Sequence, residues 1–124
     1  MEKNDIQDRK DIVRLIDHFY TLIRQDKSIG DLYQNTYQVQ WEKYLPIMYD
    51  FWENVLFYSG GYNGNPMYVH QKLHHMHAIK KADFKRWLEL FKQAVDELYQ
   101  GPMAEEIKLR ASNIATIMQL KLFK

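Results

Sequence analysis

Residues 83–98 read DFKRWLELFKQAVDEL, with apolar side chains at Phe84, Trp87, Leu88, Phe91, Val95 and Leu98. Spacings of three and four are the period of an α-helix, so these residues share one face of a helix that buries it against a partner. Beyond Tyr99 and Gln100 stands Gly101-Pro102. A glycine past one helix end and a proline opening the next is the usual asymmetry of a helix–helix joint. A further helix then carries Ile107, Ala111, Ile114, Met118 and Leu122.

The same period recurs upstream. Ile12, Ile16, Phe19, Tyr20 and Ile23 fall on one face, with Arg14, Asp17, Arg24 and Gln25 largely outside it. From Trp41 to about Tyr58 a broader stripe runs through Leu45, Met48, Phe51, Trp52, Val55 and Leu56. Ser28 to Gln40 reads as a short helical turn and loop, and SGGYNGNP, residues 59–66, is the strongest cluster of helix breakers. No run alternates apolar and polar residues between turn signals, so no strand is expected, and no internal repeat or low-complexity tract occurs. The fold class expected is all-α, four main helices in a single domain over residues 1–124, with a loop ahead of a histidine-rich segment.

Bulk properties exclude several classes of function. The chain has 124 residues, 46% hydrophobic and 27% charged, with a formal net charge of +1. That balance gives no basic excess for a nucleic acid or an anionic membrane to meet, so neither is expected as a partner. There is no cysteine, which removes disulfides, thiolate metal sites and cysteine nucleophiles. The amino-terminal MEKNDIQDRKD is charged and unlike a signal peptide, and no apolar run approaches the roughly 20 residues that span a bilayer. A cytoplasmic protein is the expectation. Aromatic residues make up 15% of the chain, a proportion that suits either a packed aromatic core or a slot for a large flat ligand.

The residues able to carry chemistry are few. His70, His74, His75 and His77 crowd one short segment. They admit three readings: solvated side chains on a turn, a transition-metal site using His70 and His74 one helical turn apart, or a single imidazole that ligates haem iron. No glutamate within the segment completes an HExxH pattern. Tyr20 and Trp87 fall on apolar faces, where a buried phenol O–H or indole N–H needs a partner. A backbone carbonyl or a bound ligand would serve equally. Lys80, Lys81, Lys85 and Arg86 suit a solvated face, although such groups also meet haem propionates. No GxSxG, P-loop, Rossmann or paired-carboxylate signature is present.

YNGNPMYVH, residues 62–70, followed by DFKRWLELF, residues 83–91, resembles the truncated haemoglobins, most closely their third group. His18-Phe19-Tyr20 followed by RQDKSIGDLY (residues 24–33), and Trp41 followed by Phe51-Trp52, extend the resemblance from about Ile12 to the carboxyl end. The resemblance implies a shortened globin fold, a two-over-two helical sandwich around haem b. It also implies His70 as the proximal ligand, the metal-binding residue, and binding of O₂ or another diatomic gas on the opposite face. There Tyr20 and Trp87 would act as hydrogen-bond donors, with Phe19, Tyr44, Leu45 and Met48 beside them. Some third-group members carry a distal histidine one helical turn after the tryptophan, where this chain has Tyr44. A tyrosine donates a hydrogen bond but is no base near pH 7. Two other functions are carried forward: haem redox turnover, by nitric oxide dioxygenation or peroxide reduction with a reductase partner, and a haem-free helical interaction module.

Overall fold

The computed structural model describes residues 3–30, 40–57 and 81–122. These residues form helices α1 (Arg9–Gln25), α2 (Trp41–Phe57), α3 (Lys81–Leu98) and α4 (Pro102–Leu122), with no strand among them. The glycine-rich loop, His70 and the other clustered histidines lie outside the described residues.

Helix α1 begins where the side chains can hold its free amides. Asp8, the N-cap, accepts a hydrogen bond from the Asp11 amide, and the Asp11 carboxylate accepts one from Gln7. From there Ile12, Leu15, Ile16, Phe19, Tyr20 and Ile23 are all buried, the face that the spacing predicts plus Leu15. Each fully buried aliphatic or aromatic side chain contributes about 1.5–3 kcal/mol. The α1 face therefore dominates the local energetics.

Helix α1 packs on both α2 and α3, and α4 closes the circuit by packing on α3 and α2. A helix held between two neighbours buries more than one stripe. Accordingly α3 buries Leu90 and Ala94 beside the predicted Phe84, Trp87, Phe91 and Val95, whereas Leu88 and Leu98 are half-buried. Helix α2 keeps a narrower line than its composition suggests. Met48, Trp52 and Leu56, one turn apart, are buried, and Leu45, Phe51 and Val55 are half-buried. Pro46 sits within α2, where it has no amide to give to the carbonyl four residues back. Helix α4 buries Ala104, Ile107, Ala111, Ala115 and Met118, and its small side chains let the helix lie close to its neighbours.

The start of α4 is held from a distance. Gly101 has φ +146°, a region that other residues rarely adopt, and a Cβ there would lie 2.5 Å from Asp5 Cγ. With no side chain of its own to cap the helix, the joint borrows one. Asp5 accepts hydrogen bonds from the Met103 and Ala104 amides at 2.9 and 2.8 Å. The Gln100 amide donates to the Asn4 carbonyl at 3.0 Å, and Tyr99 Oη donates to the Asp11 carbonyl at 3.2 Å. Residues ahead of α1 and in its first turn thus fasten the α3–α4 joint to the rest of the fold.

Asp5→Ala should lower stability by about 1–2 kcal/mol, the usual loss for a helix cap. Urea unfolding of the variant measures this directly, and an unchanged midpoint would show that Asp5 does not cap α4.

Candidate functional site

Three helices bring their aromatic residues to one place. Helix α1 supplies Phe19 and Tyr20, α2 supplies Trp41, Tyr44 and Trp52, and α3 supplies Trp87 and Phe91. Phe19 lies at the middle. Its ring meets Trp87 edge-on at 5.5 Å and Phe91 at 5.0 Å, and lies 4.7 Å from Tyr20. Trp52 stacks on Phe91 at 4.6 Å and on Trp87 at 6.3 Å. Offset stacks and edge contacts match the quadrupoles of the rings and are worth about 0.5–1.5 kcal/mol each beyond area burial.

Two polar features mark this cluster. Tyr20 Oη and Tyr44 Oη lie 3.0 Å apart, a hydrogen bond between α1 and α2. Trp87 Nε1 is buried and has no hydrogen-bond partner among the described residues. An indole nitrogen is a donor only, and leaving one unpaired in a low dielectric costs about 1–3 kcal/mol. A bound group that accepts a hydrogen bond would remove that cost. The donor set, two phenols and an indole among rings, fits a haem pocket whose ligand carries partial negative charge.

The sequence-predicted residues therefore divide. Phe19, Tyr20, Tyr44 and Trp87 come together in the aromatic cluster. Met48 is buried in the same core, and Leu45 packs against it half-buried. His70 lies outside the described residues, as do His74, His75 and His77. His18, the one histidine among the described residues, pairs with Glu97 of α3 at 2.7 Å and draws the Glu97 carboxyl below its ordinary value. No cluster of metal-ligating side chains occurs among the described residues.

Several neighbours of the cluster were not among the expected site residues. Trp41 bridges Tyr20 and Tyr44, at ring distances of 5.4 and 5.8 Å, with the Arg24 guanidinium 4.0 Å above its ring. Also between α1 and α2, Tyr49 donates to Asp17, and burial, with that bond second, pushes its phenol up to about 12. Arg9 meets Asp50 and Glu53, each at 2.8 Å, in a surface bridge of small worth.

Asp26 holds the exit of α1 against the helix that carries Trp87. One carboxylate oxygen accepts from the Ser28 amide, the Ser28 hydroxyl and the Ile29 amide at 2.9, 2.6 and 3.1 Å. The other accepts from Arg86 Nε and Nη2 at 2.7 and 2.6 Å. The turn so formed presses Gly30 on the last turn of α1, where a Cβ would lie 2.5 Å from the Ile23 carbonyl oxygen. Burial raises the Asp26 carboxyl, but the bonds from Ser28, Arg86 and the backbone outweigh it and bring the value down to about 2. Arg86 adjoins Trp87, so this pair sets the register between α1 and α3 beside the indole.

Helices packed in this circuit around a donor-bearing aromatic cluster fit a shortened globin. The model of the bacterial-like globin family matches residues 4–120, and the chain belongs to that family. It is 30% identical over 119 residues to the group 3 truncated haemoglobin of Campylobacter jejuni, a match covering 94% of this chain and 91% of that protein. The crystal structure of group III truncated haemoglobin from Campylobacter jejuni superposes with a TM-score of 0.86 at 29% identity, covering 98% of this chain and 96% of that one. The fold is the shortened, two-over-two globin fold, and the resemblance to the third group is borne out. The family implies haem binding. No helix among the described residues is long and apolar enough to cross a membrane.

Removing the Asp26 carboxylate tests the register contact. Its folded value of about 2 lies below the ordinary 3.8, so the contribution is complete above about pH 4 and is lost as pH falls through about 2. The shift corresponds to at most about 2.4 kcal/mol, and screening of the half-exposed Arg86 brings the expected loss in Asp26→Ala to about 1–2 kcal/mol at neutral pH. Denaturation midpoints of both proteins across pH 2–7 check this: the gap should narrow on acidification, and a constant gap would refute it.

Proposed function

We propose that the chain works as one domain that carries haem b, ligated by His70, and reversibly binds O₂ or another diatomic gas. The observation that carries the reading is the buried Trp87 N–H, which has no hydrogen-bond partner among the described residues, in a cluster that also contains the hydrogen-bonded Tyr20–Tyr44 pair. Haem supplies an iron atom at which such a gas binds. The chain's own residues do the rest.

Phe19, Leu45 and Met48 give the distal side apolar walls that exclude water, which strengthens every hydrogen bond made there. Trp87 and Tyr20 donate to the ligand. Each such bond contributes about 0.5–1.5 kcal/mol, so the two together account for roughly one to two decades in affinity. Both donors sit on helices whose positions are fixed by buried contacts, Tyr20 beside Phe19 on α1 and Trp87 against Phe19 and Trp52 on α3. Little ordering is needed when the ligand arrives.

Tyr44 favours binding over turnover. Peroxide reduction with an imidazole base requires a group that takes a proton near pH 7, and a phenol does not. Nitric oxide dioxygenation would in addition require a reductase partner to restore ferrous iron. Retention of the gas is therefore the reading that the side chains support best.

Tyr20→Phe and Trp87→Phe should each speed O₂ dissociation from the ferrous protein by about threefold to tenfold. Stopped-flow ligand replacement measures both rates, and unchanged rates in both variants would remove these residues from the site. Steady consumption of nitric oxide or peroxide by the wild-type protein with a reductant would favour the redox alternative instead.

A further inference from the structure

A cavity of about 390 Å³ lies where the residues ahead of α1 meet α1 itself and the end of α3. It shares no residue with the aromatic cluster, and its volume falls in the range of about 300–1,000 Å³ that takes small molecules. Leu98 and the Tyr99 ring supply the apolar part of its lining. Around them stand two cations, Lys3 and Arg14, and three carboxylates, Asp5, Asp11 and Glu97. Burial, with the Asp11 charge next, pushes the Tyr99 phenol up to about 12, so it adds no charge at neutral pH.

The carboxylates differ in what they have left to offer. Asp5 already holds the Ile6, Met103 and Ala104 amides, and Asp11 holds the Gln7 amide and the Tyr99 hydroxyl. Glu97 holds side chains alone, His18 at 2.7 Å and Gln93 at 3.4 Å, and is the most exposed of the three. These two donors draw its carboxyl below the ordinary value, so it is ionised at neutral pH. The cations differ in the same way. Lys3 donates to the Asp96 carbonyl, whereas Arg14 has no carboxylate in ion-pair contact among the described residues. Its guanidinium lies 5.8 Å from the centre of the Tyr99 ring. Its exposed fork of N–H donors matches the two oxygens of a carboxylate.

Such a lining selects by charge. An anion drawn to Arg14 meets Asp11 and Glu97 as well, and a cation drawn to Glu97 meets Arg14 and Lys3. A molecule that carries both charges finds a partner for each. We infer that this cavity binds a small zwitterion, an α-amino acid with an apolar side chain: Arg14 and Lys3 take the carboxylate, Glu97 takes the ammonium group, and Leu98 and Tyr99 meet the side chain. The inference is independent of the haem reading, since neither the cavity nor its test involves haem.

Amide NMR spectra of the protein as isolated, titrated with phenylalanine, 3-phenylpropionate and 2-phenylethylamine, test it. Phenylalanine should bind with a Kd of about a millimolar, and the shifts should centre on residues 3–14 and 97–99. The other two compounds each lack one charge and should bind about tenfold more weakly. Arg14→Met should weaken phenylalanine to the level of 2-phenylethylamine, and Glu97→Gln to the level of 3-phenylpropionate. Arg14→Lys, which keeps the charge and loses the fork, should recover part of the loss. Both positions are exposed, and unfolding midpoints of the variants show that the fold is kept.

Equal binding of all three compounds would identify a merely apolar cleft and overturn the inference. Tighter binding of either singly charged compound would overturn it as well. So would shifts centred elsewhere, affinities unmoved by both substitutions, or no saturation by about 20 mM phenylalanine, well above the expected range.

Discussion

The crossing of α1 and α3 at Phe19 is the contact on which the arrangement depends. The ring is fully buried and meets Trp87 and Phe91 edge-on, so it fixes how far apart the two helices lie and how they are rotated. Because successive residues on a helix point about 100° apart, placing Phe19 toward α3 turns Tyr20 toward α2 and Tyr44. One buried ring thus sets the positions of a phenol and an indole on different helices. An aliphatic residue would fill the volume without the directional edge contacts.

Polar interactions do a different job at the ends of the helices. Asp5 caps α4 from the opposite end of the chain, and Asp26 closes the exit of α1 while gripping Arg86 on α3. The carboxylates of Asp8 and Asp11 organise the start of α1. Charges are spent where backbone amides and guanidinium groups can satisfy them. The donors of the aromatic cluster are neutral hydroxyl and indole groups. A neutral donor field stabilises partial negative charge on a ligand without demanding a full counter-charge or a proton transfer, which suits retention of a small gas.

The sequence was most informative where burial follows a period. The faces of α1 and α3 were legible because apolar residues at three- and four-residue spacing leave little choice, and Tyr20 and Trp87 were legible as ring-bearing members of those faces. Helix α2 was harder: its apolar stripe is broad, so spacing did not separate the buried Met48, Trp52 and Leu56 from the half-buried Leu45, Phe51 and Val55. Leu90 and Ala94 of α3 were missed because their burial comes from the position of a second neighbour. Contacts between distant residues left no local pattern at all, as with Asp5 and Met103, Asp26 and Arg86, or Tyr20 and Tyr44. The family's motif pointed to His70, and periodicity alone did not distinguish it from the histidines that follow.

The central claim is a haem held by His70, and the absorption spectrum tests it most directly. Purified protein with one equivalent of haem is recorded ferric, ferrous and with CO, for wild type and His70→Ala. The account predicts a sharp Soret band in the wild type that shifts with CO and is lost or altered in the variant. A broad free-haem spectrum, indifferent to CO and to the substitution, would contradict it.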